Sequence, residues 1–494
     1  MKKVLSLISS CVMAIALVGC SNGTSSTKGV SGEFTGTAKG LGGDVTVTIT
    51  LEDSKITNVV AEGKDETEGI GTKALESMPE AMKEAGSINV DTVATATVIS
   101  NAILEAAKAA IESAGLNPED YMATSTSEPV AAEDVTKDCD VVVVGAGGAG
   151  MTAAITASDA GKSVIIVESQ GVAGGNSVRS TGGMNAAKTV YQDENEFGEE
   201  AGVEKTLKAA EAYTGENEDF VKELTETVKT QWSEYQANPT GYFDSVELFE
   251  LDTMIGGKGI NDPELVKTLV ENSADAIDWL ESIGATLHNV GQFGGAAVKR
   301  IHRPVNDEGK TLAVGSYVVP ILEKNVEDRG VEVMFNTTAN KILTDDNGAA
   351  CGIVAEGKNG ETVTINAKAV VLASGGFGAN NEMVAEQNPQ LDGYITTNAP
   401  GILGQGIKMA QEIGAGTVDM NQIQLHPTVH VAEDGSANLI TEGLRGDGAI
   451  LVNKEGKRFF DEVSTRDKVS AAENEQTDGM AWMIVDQKMY DAST

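Results

Sequence analysis

Basic residues are scarce in this chain of 494 residues, where 36 lysines and arginines stand against 74 aspartates and glutamates. The resulting net charge of −38 excludes a nucleic-acid partner, because nucleic-acid phosphates require a basic surface. The same negative field repels a dicarboxylate at long range. An anionic ligand therefore needs locally concentrated positive charge, and the chain has only seven arginines.

Cysteine and histidine are equally rare, with four of each. The sequence contains no Cys-x-x-Cys pair and no Cys-x-x-Cys-His motif, which argues against a zinc site of that type and against a covalently attached haem. Cys139 and Cys351 lie in apolar, strand-like sequence, so we interpret them as core residues. We predict no metal site, and we expect electrons to arrive through a carrier other than haem.

The first twenty residues are typical of a bacterial signal peptide. Two lysines precede an apolar run over residues 4–18, which is short for a membrane span, and the segment ends in Leu-Val-Gly-Cys. This ending resembles the lipobox of bacterial lipoproteins, in which the cysteine, here Cys20, is acylated and becomes the mature N-terminus. A tether rich in Ser, Thr and Gly follows over residues 21–31. We therefore expect an exported protein that is anchored by lipid to the outer face of the cytoplasmic membrane.

Changes in composition and periodicity divide the rest of the chain. Apolar residues alternate with threonines from Val45 to Leu51, which indicates a half-buried strand, and residues 99–114 have the pattern of an amphipathic helix. A later stretch is rich in Pro, Ser, Thr and acids and has no periodicity, which is typical of a linker. The predicted boundaries are 32–116 for a small α+β unit, 117–137 for the linker, 138–423 for an α/β unit and 424–494 for the start of a further unit.

A dinucleotide-binding fingerprint opens the α/β unit. The buried strand Val141–Val144 is followed by Gly145-x-Gly147-x-x-Gly150 and an alanine-rich helix. These glycines permit a tight turn, close approach of a pyrophosphate and packing of the helix on the strand, and the phosphates meet the helix N-terminus. Glu168 ends the next strand, where a carboxylate can accept hydrogen bonds from ribose hydroxyls. The pattern predicts a Rossmann-like domain that binds a dinucleotide.

Two glycine-rich segments favour FAD over NAD. Residues Gly171–Ala187 (GVAGGNSVRSTGGMNAA) resemble the loop by which fumarate reductase and succinate dehydrogenase flavoproteins hold FAD, and Ala373–Gly378 (ASGGFG) resembles their second glycine motif. The resemblance implies non-covalent FAD in a Rossmann-like domain with an inserted α+β clamp domain, which residues 424–494 only begin. The implied FAD-binding residues are Gly145, Gly147, Ala149, Gly150, Glu168, Asn176, Ser177, Gly182, Gly183 and Ala339.

The segment Asp91–Thr97 resembles the attachment motif of FMN-binding domains, in which a flavin transferase joins FMN through its phosphate to the last Thr or Ser. Residues 66–71 (ETEGIG) match a second short motif of those domains. Where that family has Ser or Thr followed by Gly, this sequence has Ala94 and Thr95. The resemblance implies covalent FMN on Thr97. The residues alone also permit a threonine-rich turn that caps a helix.

A charged segment late in the chain resembles the active site of the soluble fumarate reductase family. The matching motifs are QLHPT at 424–428, TEGLR at 441–445 and STRDK at 464–468. The resemblance implies that FAD delivers hydride to one alkene carbon while Arg466 protonates the other, and that Glu442 and Arg445 reload the proton from solvent. It also implies that His426, Thr441, Glu442 and Arg466 bind a substrate carboxylate.

Other interpretations remain open from spacing alone. Glu442 and Arg445 could form a structural ion pair one helical turn apart, and Arg466 could be a surface arginine. We favour fumarate as substrate, ahead of another 2-enoate such as urocanate, methacrylate or cinnamate. Family members continue past the position equivalent to Thr494, so we expect a truncated chain that carries one half of the site.

If the chain ends at that point, the alternative function is a lipid-anchored flavin electron-transfer protein without reductase activity. For either function the expected partners are a membrane, an electron donor outside the cytoplasm and a flavin transferase. A small anionic substrate is expected for the reductase only.

Overall fold

The computed structural model describes residues 29–64, 66, 71–90, 92–93, 96–122, 133–292, 296–431, 437–446 and 448–489. The predicted signal peptide with Cys20 lies outside the described residues, as do Ala94 and Thr95. Within the part of the chain that is described, no helix is both long and apolar enough to cross a bilayer.

The N-terminal unit is an antiparallel three-stranded sheet, β1 (Gly32–Lys39), β2 (Asp44–Glu52) and β3 (Lys55–Glu62), with two helices, α1 (Gly71–Ala85) and α2 (Thr97–Ser113). The strand alternation predicted from Val45 to Leu51 is confirmed, because the apolar members of β2 are at most 1% exposed. Helix α2 crosses β1 so closely that a Cβ on Gly36 would lie 2.1 Å from the Ala106 carbonyl oxygen. Glycine is therefore required at that position.

The N-terminal unit extends further along the chain than its predicted end at residue 116. A 3₁₀ helix, Pro118–Tyr121, packs against the same core, and the buried Tyr121 hydroxyl donates a hydrogen bond of 2.7 Å to the Ser54 carbonyl oxygen. Burial of Tyr121 therefore attaches the 3₁₀ helix to the N-terminal unit, although the composition of this segment is typical of a linker. An ion pair between Lys73 of α1 and Glu323 connects the unit to the following one.

The remaining elements are numbered in chain order. The strands are β4 (Val135–Val144), β5 (Val164–Val167), β6 (Met184–Asn185), β7 (Asn289–Gly291), β8 (Ile301–Arg303), β9 (Glu332–Met334), β10 (Thr338–Thr344), β11 (Ala350–Glu356), β12 (Thr362–Leu372), β13 (Val429–Val431), β14 (Ala437–Leu439), β15 (Ile450–Val452) and β16 (Trp482–Ile484). The helices are α3 (Gly148–Asp159), α4 (Gly175–Val178), α5 (Glu200–Glu211), α6 (Glu218–Ala237), α7 (Val246–Gly256), α8 (Pro263–Glu271), α9 (Ser273–Ser282), α10 (Val314–Asp328), α11 (Asn381–Gln387), α12 (Gln405–Glu412), α13 (Glu442–Gly446) and α14 (Arg466–Asn474).

The second unit is built on a six-stranded sheet in the order β10-β11-β12-β4-β5-β9. Strands β12, β4, β5 and β9 are parallel, and β10 and β11 form an antiparallel extension. Helices α3 and α10 cover one face, while α12 packs near β10. Valines fill β4 because both of its faces are buried. The predicted α/β, Rossmann-like fold with a separate N-terminal α+β unit is confirmed.

Helices α5 to α9 and the small sheet β6-β8-β7 are inserted between β5 and β9. The ion pair of Arg300 with Asp244 organises this region, since the two side chains are only 2% and 1% exposed. The guanidinium also donates to Asp252 and lies 4.8 Å from the centroid of the Phe249 ring. A buried arginine with two carboxylate partners and a ring contact fixes how these helices meet.

The last described segment contains the predicted catalytic residues Glu442, Arg445 and Arg466. It contains the hairpin β13–β14, helix α13, the pair β15–β16 and helix α14. The Asn474 side chain at the end of α14 donates a hydrogen bond of 2.9 Å to the Tyr394 hydroxyl of the second unit.

Candidate functional site

A cleft of about 380 Å³ opens at the carboxyl end of β4. Parallel α/β sheets bind nucleotides at this edge, where loops leave the strands and helices begin. The predicted FAD-binding residues that line the cleft are Gly145, Gly147, Ala149, Glu168, Asn176, Ser177 and Ala339. The structure thus brings together residues that are far apart in the sequence.

The glycine turn has the geometry that the fingerprint predicts. Gly145 has a φ of +104°, and a Cβ there would lie 2.5 Å from the Ala373 carbonyl oxygen. A Cβ on Gly150 would lie 1.9 Å from the Gly145 carbonyl oxygen, so helix α3 can approach the turn only through glycine. At Gly147 the nearest atom to such a Cβ is 3.7 Å away, which leaves the backbone open to the cleft. This cradle at the start of α3 fits the pyrophosphate of FAD.

Glu168 and Asn176 are held in place by hydrogen bonds at the rim of the cleft. The Glu168 carboxylate, 9% exposed, accepts from the backbone N–H groups of Ala146 at 2.8 Å and Gln170 at 2.9 Å. Asn176 donates from Nδ2 to the Asn398 side chain at 2.6 Å and accepts from the Ala399 N–H at 2.8 Å. The Glu168 bonds fix the end of β5 against the glycine turn, and the Asn176 bonds fix α4 against the segment that contains Ala399.

Three predicted FAD residues do not line the cleft. Gly150 lies behind the turn, where its role is helix packing, while Gly182 and Gly183 precede β6. Gly183 packs against β8, since a Cβ there would lie 2.4 Å from the His302 carbonyl oxygen. The chain leaves the cleft after α4, so a contact of Gly182 or Gly183 with FAD stays a prediction.

The sequence reasoning missed a group of lining residues from one later segment. They are Ala399, Pro400, Gly401, Ile402, Gln405, Gly406 and Met409. The sequence feature that could have identified them is the glycine- and proline-rich stretch before α12, which includes Gly404 with a φ of +81°. This places a second helix N-terminus at the cleft, together with the start of α3.

The predicted catalytic residues meet in a single ion network. Arg466 donates from Nε to Glu442 Oε1 and from Nη2 to Glu442 Oε2, both at 2.7 Å, which is a bidentate pair. Arg445 donates from Nη2 to Glu442 Oε1 at 3.0 Å and from Nη1 to the Glu462 carbonyl oxygen at 2.8 Å. Glu442 therefore lies between two guanidinium groups, as predicted from the sequence.

Exposure differs strongly within this network. The side chain of Arg445 is 3% exposed, that of Glu442 is 22% exposed and that of Arg466 is 40% exposed. Gln424, which sequence reasoning did not assign to the site, accepts from Arg466 Nη1 at 2.7 Å. Arg466 is thus the member that a ligand can reach, and Arg445 is the buried member behind it.

The network shifts the proton affinities of its members. The hydrogen bonds from Arg466 lower the pKa of Glu442, so this carboxyl group stays ionised, and the same pairing raises the pKa of Arg466. Burial lowers the pKa of Arg445. A chain of alternating donors and acceptors with graded exposure has the arrangement needed to move a proton from a buried group to an exposed one.

His426 lies next to this network and remains neutral. Burial lowers its pKa, and the positive charge of Arg466 lowers it further. Its Nδ1 lies 3.1 Å from the Thr428 carbonyl oxygen and 3.3 Å from the Thr428 backbone nitrogen, whereas Nε2 is buried without a hydrogen-bond partner among the described residues. In the tautomer whose Nδ1 accepts from the Thr428 N–H, Nε2 carries the proton and can donate to a carboxylate. Thr441 directly precedes Glu442 at the start of α13.

The predicted FMN motifs come together in the N-terminal unit. Thr97 is the first residue of α2, and Gly71 is the first residue of α1. A Cβ on Gly71 would lie 2.5 Å from the Ile99 side chain, so the two helix starts are adjacent. Glu66 accepts a hydrogen bond of 3.1 Å from the Gly42 N–H in the β1–β2 turn. Residues 67–70 of the second motif lie outside the described residues.

Comparison with known proteins gives an independent view of both units. The family model of the FAD binding domain matches residues 140–242 and 232–489, and that of the FMN-binding domain matches residues 40–112. A fumarate reductase (cytochrome) of Shewanella frigidimarina is 41% identical over 350 residues, which cover 71% of this chain and 52% of that protein. A urocanate reductase of Eggerthella lenta is 34% identical over 489 residues, which cover 97% of this chain and 72% of that protein.

Among solved structures, the open conformation of a flavocytochrome c3 fumarate reductase is similar to this chain at 37% identity and a TM-score of 0.55. The match covers 72% of this chain and 54% of that structure. The chain therefore spans about half the length of these fumarate reductases.

Proposed function

The chain belongs to the family of FAD-binding flavoproteins that includes fumarate and urocanate reductases. From this premise we propose that the full-length protein reduces the carbon–carbon double bond of a small anionic 2-enoate. Fumarate is the substrate that we favour. The observation that carries the proposal is the bidentate contact of Arg466 with Glu442, backed by the buried Arg445. When bound in the cleft, FAD supplies the hydride.

The network supplies the positive charge that an anionic substrate needs. Two arginines and one glutamate leave a local charge of about +1 in a chain of net charge −38. Arg466, the most exposed member, faces the ligand with a guanidinium that matches a carboxylate. In the tautomer that is protonated at Nε2, His426 adds an uncharged donor, and Nε2 has no hydrogen-bond partner among the described residues.

Arg466 also holds the proton that the reaction consumes. An arginine is a weak acid in water, but a carbanion that forms beside a substrate carboxylate is a far stronger base. Once Arg466 has given up its proton, Glu442 is bonded to both guanidinium groups and can pass one from Arg445. Reprotonation thus proceeds from the interior of the network toward the substrate.

The FMN-binding domain supports a second part of the proposal, which is electron supply through FMN joined covalently to Thr97. The domain match includes this position, and the two motifs meet at the starts of α1 and α2. A phosphodiester-linked flavin stays with a protein that is exported and anchored by lipid at Cys20. Replacement of Thr97 by alanine should abolish in-gel flavin fluorescence after denaturation, and fluorescence that persists would contradict attachment at this residue.

A different 2-enoate is the second candidate substrate. The similarity to the urocanate reductase extends over 97% of this chain and includes the FMN-binding domain. A panel of fumarate, urocanate, acrylate, methacrylate and cinnamate, assayed anaerobically with a reduced viologen dye, distinguishes these substrates. We expect the highest kcat/KM for fumarate, because two carboxylates use both Arg466 and His426.

Arg466→Lys is the control for the panel. It keeps the charge but loses the bidentate geometry, so turnover should fall by about 10²-fold or more. Dye oxidation with none of the five compounds would refute enoate reduction. That result would favour the alternative function, a flavin electron carrier. Such a carrier would be recognised by reversible reduction of both flavins without consumption of an enoate.

A further inference from the structure

An irregular segment between α11 and α12 joins the FAD cleft to the catalytic segment. We call residues 394–402 the cleft strap. Ala399 and Ile402, near its end, line the cleft, and its first residue, Tyr394, contacts α14. Because the strap contains no helix or strand, contacts with neighbouring side chains decide its position.

Side chains of α4 fix the middle of the strap. Asn176 donates to the Asn398 side chain at 2.6 Å and accepts from the Ala399 N–H at 2.8 Å. Arg179, at the end of α4, donates from Nη1 to the Thr397 carbonyl oxygen at 3.1 Å. Three consecutive residues of the strap are thus bonded to α4.

Helix α4 is in turn bonded to the glycine turn. The Ser177 hydroxyl oxygen accepts from the Gly148 N–H at the start of α3, at 3.1 Å. The Thr396 hydroxyl of the strap donates to the Gly378 carbonyl oxygen, in the second glycine motif, at 2.8 Å. The middle of the strap is therefore connected through hydrogen bonds to the cradle that fits the pyrophosphate of FAD.

The beginning of the strap is bonded to the helix that carries Arg466. The Tyr394 hydroxyl accepts a hydrogen bond of 2.9 Å from the side chain of Asn474. Arg466 is the first and Asn474 the last of the nine residues of α14, a rigid rod about 12 Å long. Glu442 restrains the first end of this rod and Tyr394 the last, so the strap sets how α14 lies against the FAD-binding unit.

We propose that the hydrogen bond between Tyr394 and Asn474 couples FAD in the cleft to the position of α14, and thereby to that of Arg466. The strap gains order when its lining residues contact FAD, and docking of α14 on an ordered strap then costs less conformational entropy. Tyr394 and Asn474 act through Arg466 and are positioning residues. Their effect on catalysis rests on the proposed reductase function, whereas the coupling itself does not.

Three variants separate this coupling from a structural role. Tyr394→Phe removes only the hydroxyl, and Asn474→Leu removes the donor amide from the other side of the bond. Tyr235→Phe is the matched control, because it removes a hydroxyl that donates to the Gly241 carbonyl oxygen at 3.1 Å in the inserted helical region. None of the three residues lines the cleft, so we expect every variant to retain FAD.

The first measurement is hydrogen exchange by mass spectrometry on the full-length protein, stripped of FAD and then reloaded. Tyr394 is 38% exposed, so water competes for its bond. In wild type FAD should slow exchange in α14 by about three- to tenfold, the factor expected for one such hydrogen bond. In Tyr394→Phe exchange in α14 should not respond to FAD, while peptides that cover α4 should still respond. Tyr235→Phe should behave like wild type.

A bond with a structural role alone would protect α14 equally with and without FAD. An α14 that responds to FAD in Tyr394→Phe as it does in wild type, or that does not respond in wild type, overturns the coupling. The double variant of Tyr394→Phe and Asn474→Leu should exchange like either single variant, because both remove the same bond. Additive effects of the two substitutions also overturn the proposal.

The second measurement is anaerobic single turnover with fumarate. Flavin reoxidation in Tyr394→Phe should be about three- to tenfold slower than in wild type, because Arg466 is less well positioned, and Tyr235→Phe should match wild type. Equal rates in Tyr394→Phe and wild type overturn the positioning role and leave the reductase function intact. Absence of turnover with every enoate in wild type overturns the reductase function, and the response of α14 to FAD then still decides the coupling.

Discussion

Replacement of Glu442 by glutamine should loosen the segment around α13 and α14. The Glu442 carboxylate accepts two hydrogen bonds from Arg466 and one from Arg445. An amide has a single acceptor oxygen and no charge, and its NH₂ group would point at a guanidinium donor. The variant therefore leaves Arg445, which is 3% exposed, without its carboxylate partner.

The size of the expected loss of stability follows from how deeply the ion pairs of Glu442 with Arg445 and Arg466 are buried. Removal of one partner from a buried ion pair costs about 3–5 kcal/mol. Because Glu442 is 22% exposed and Arg466 is 40% exposed, water screens part of this interaction. We expect a loss of about 2–3 kcal/mol in the local opening free energy, which corresponds to a roughly 30- to 150-fold increase in the opening constant.

Hydrogen exchange measured by mass spectrometry tests this value on peptides that cover α13 and α14. Glu475→Gln is the matched control, since Glu475 is exposed, and its exchange should equal that of wild type. Glu442 has a pKa that is lower in the folded state than its ordinary value of 4.5. Its stabilising effect is therefore fully present above about pH 4.5 and is lost as the pH falls through the lower folded pKa.

The difference between Glu442→Gln and wild type should consequently be equal at about pH 6 and pH 8 and shrink below about pH 4. Equal exchange in the two proteins at neutral pH would refute the account of Glu442 as the shared partner of both arginines. A difference that persists undiminished in acid would show that charge is not its cause.

Two further substitutions test other parts of the structure. Gly150→Ala should abolish FAD retention, measured as the FAD that denaturation releases from the gel-filtered protein, because its Cβ would lie 1.9 Å from a backbone oxygen; Gly198→Ala, with open space around it, should retain FAD. Asp244→Asn should destabilise the inserted helical region by about 3–5 kcal/mol, because Arg300 loses a partner in a site that is 2% exposed. Faster hydrogen exchange in α7 would confirm this effect, and Asp278→Asn, at an exposed position, is its control.

The FAD cleft was predictable from sequence where its residues are consecutive. The turn from Gly145 to Gly150 has local causes, namely positive φ and the close approach of α3, and these leave a glycine pattern in the chain. Lining residues such as Ile402 and Met409 come from a segment more than two hundred residues later. Only the packing of α12 near β10 brings them to the cleft, and no local pattern encodes that contact.

The ion network was likewise predictable from the sequence only in part. The spacing of Glu442 and Arg445 on one helical turn indicates a pair, but their connection to Arg466 depends on the fold and was predicted only through family resemblance. Burial of Tyr121 likewise extends the N-terminal unit into a segment whose composition resembles a linker.

The most direct test of the central claim is a single turnover of the full-length, FAD-loaded protein. The protein is reduced anaerobically, mixed rapidly with fumarate and followed by flavin absorbance, and succinate is quantified at the end. We predict one succinate for each flavin, FAD or FMN, that is reoxidised in wild type. In Arg466→Lys, which should still bind FAD, reoxidation should be slower by about 10²-fold or more. Equal rates in the two proteins, or reoxidation without succinate, would contradict the assignment of Arg466 as the proton donor.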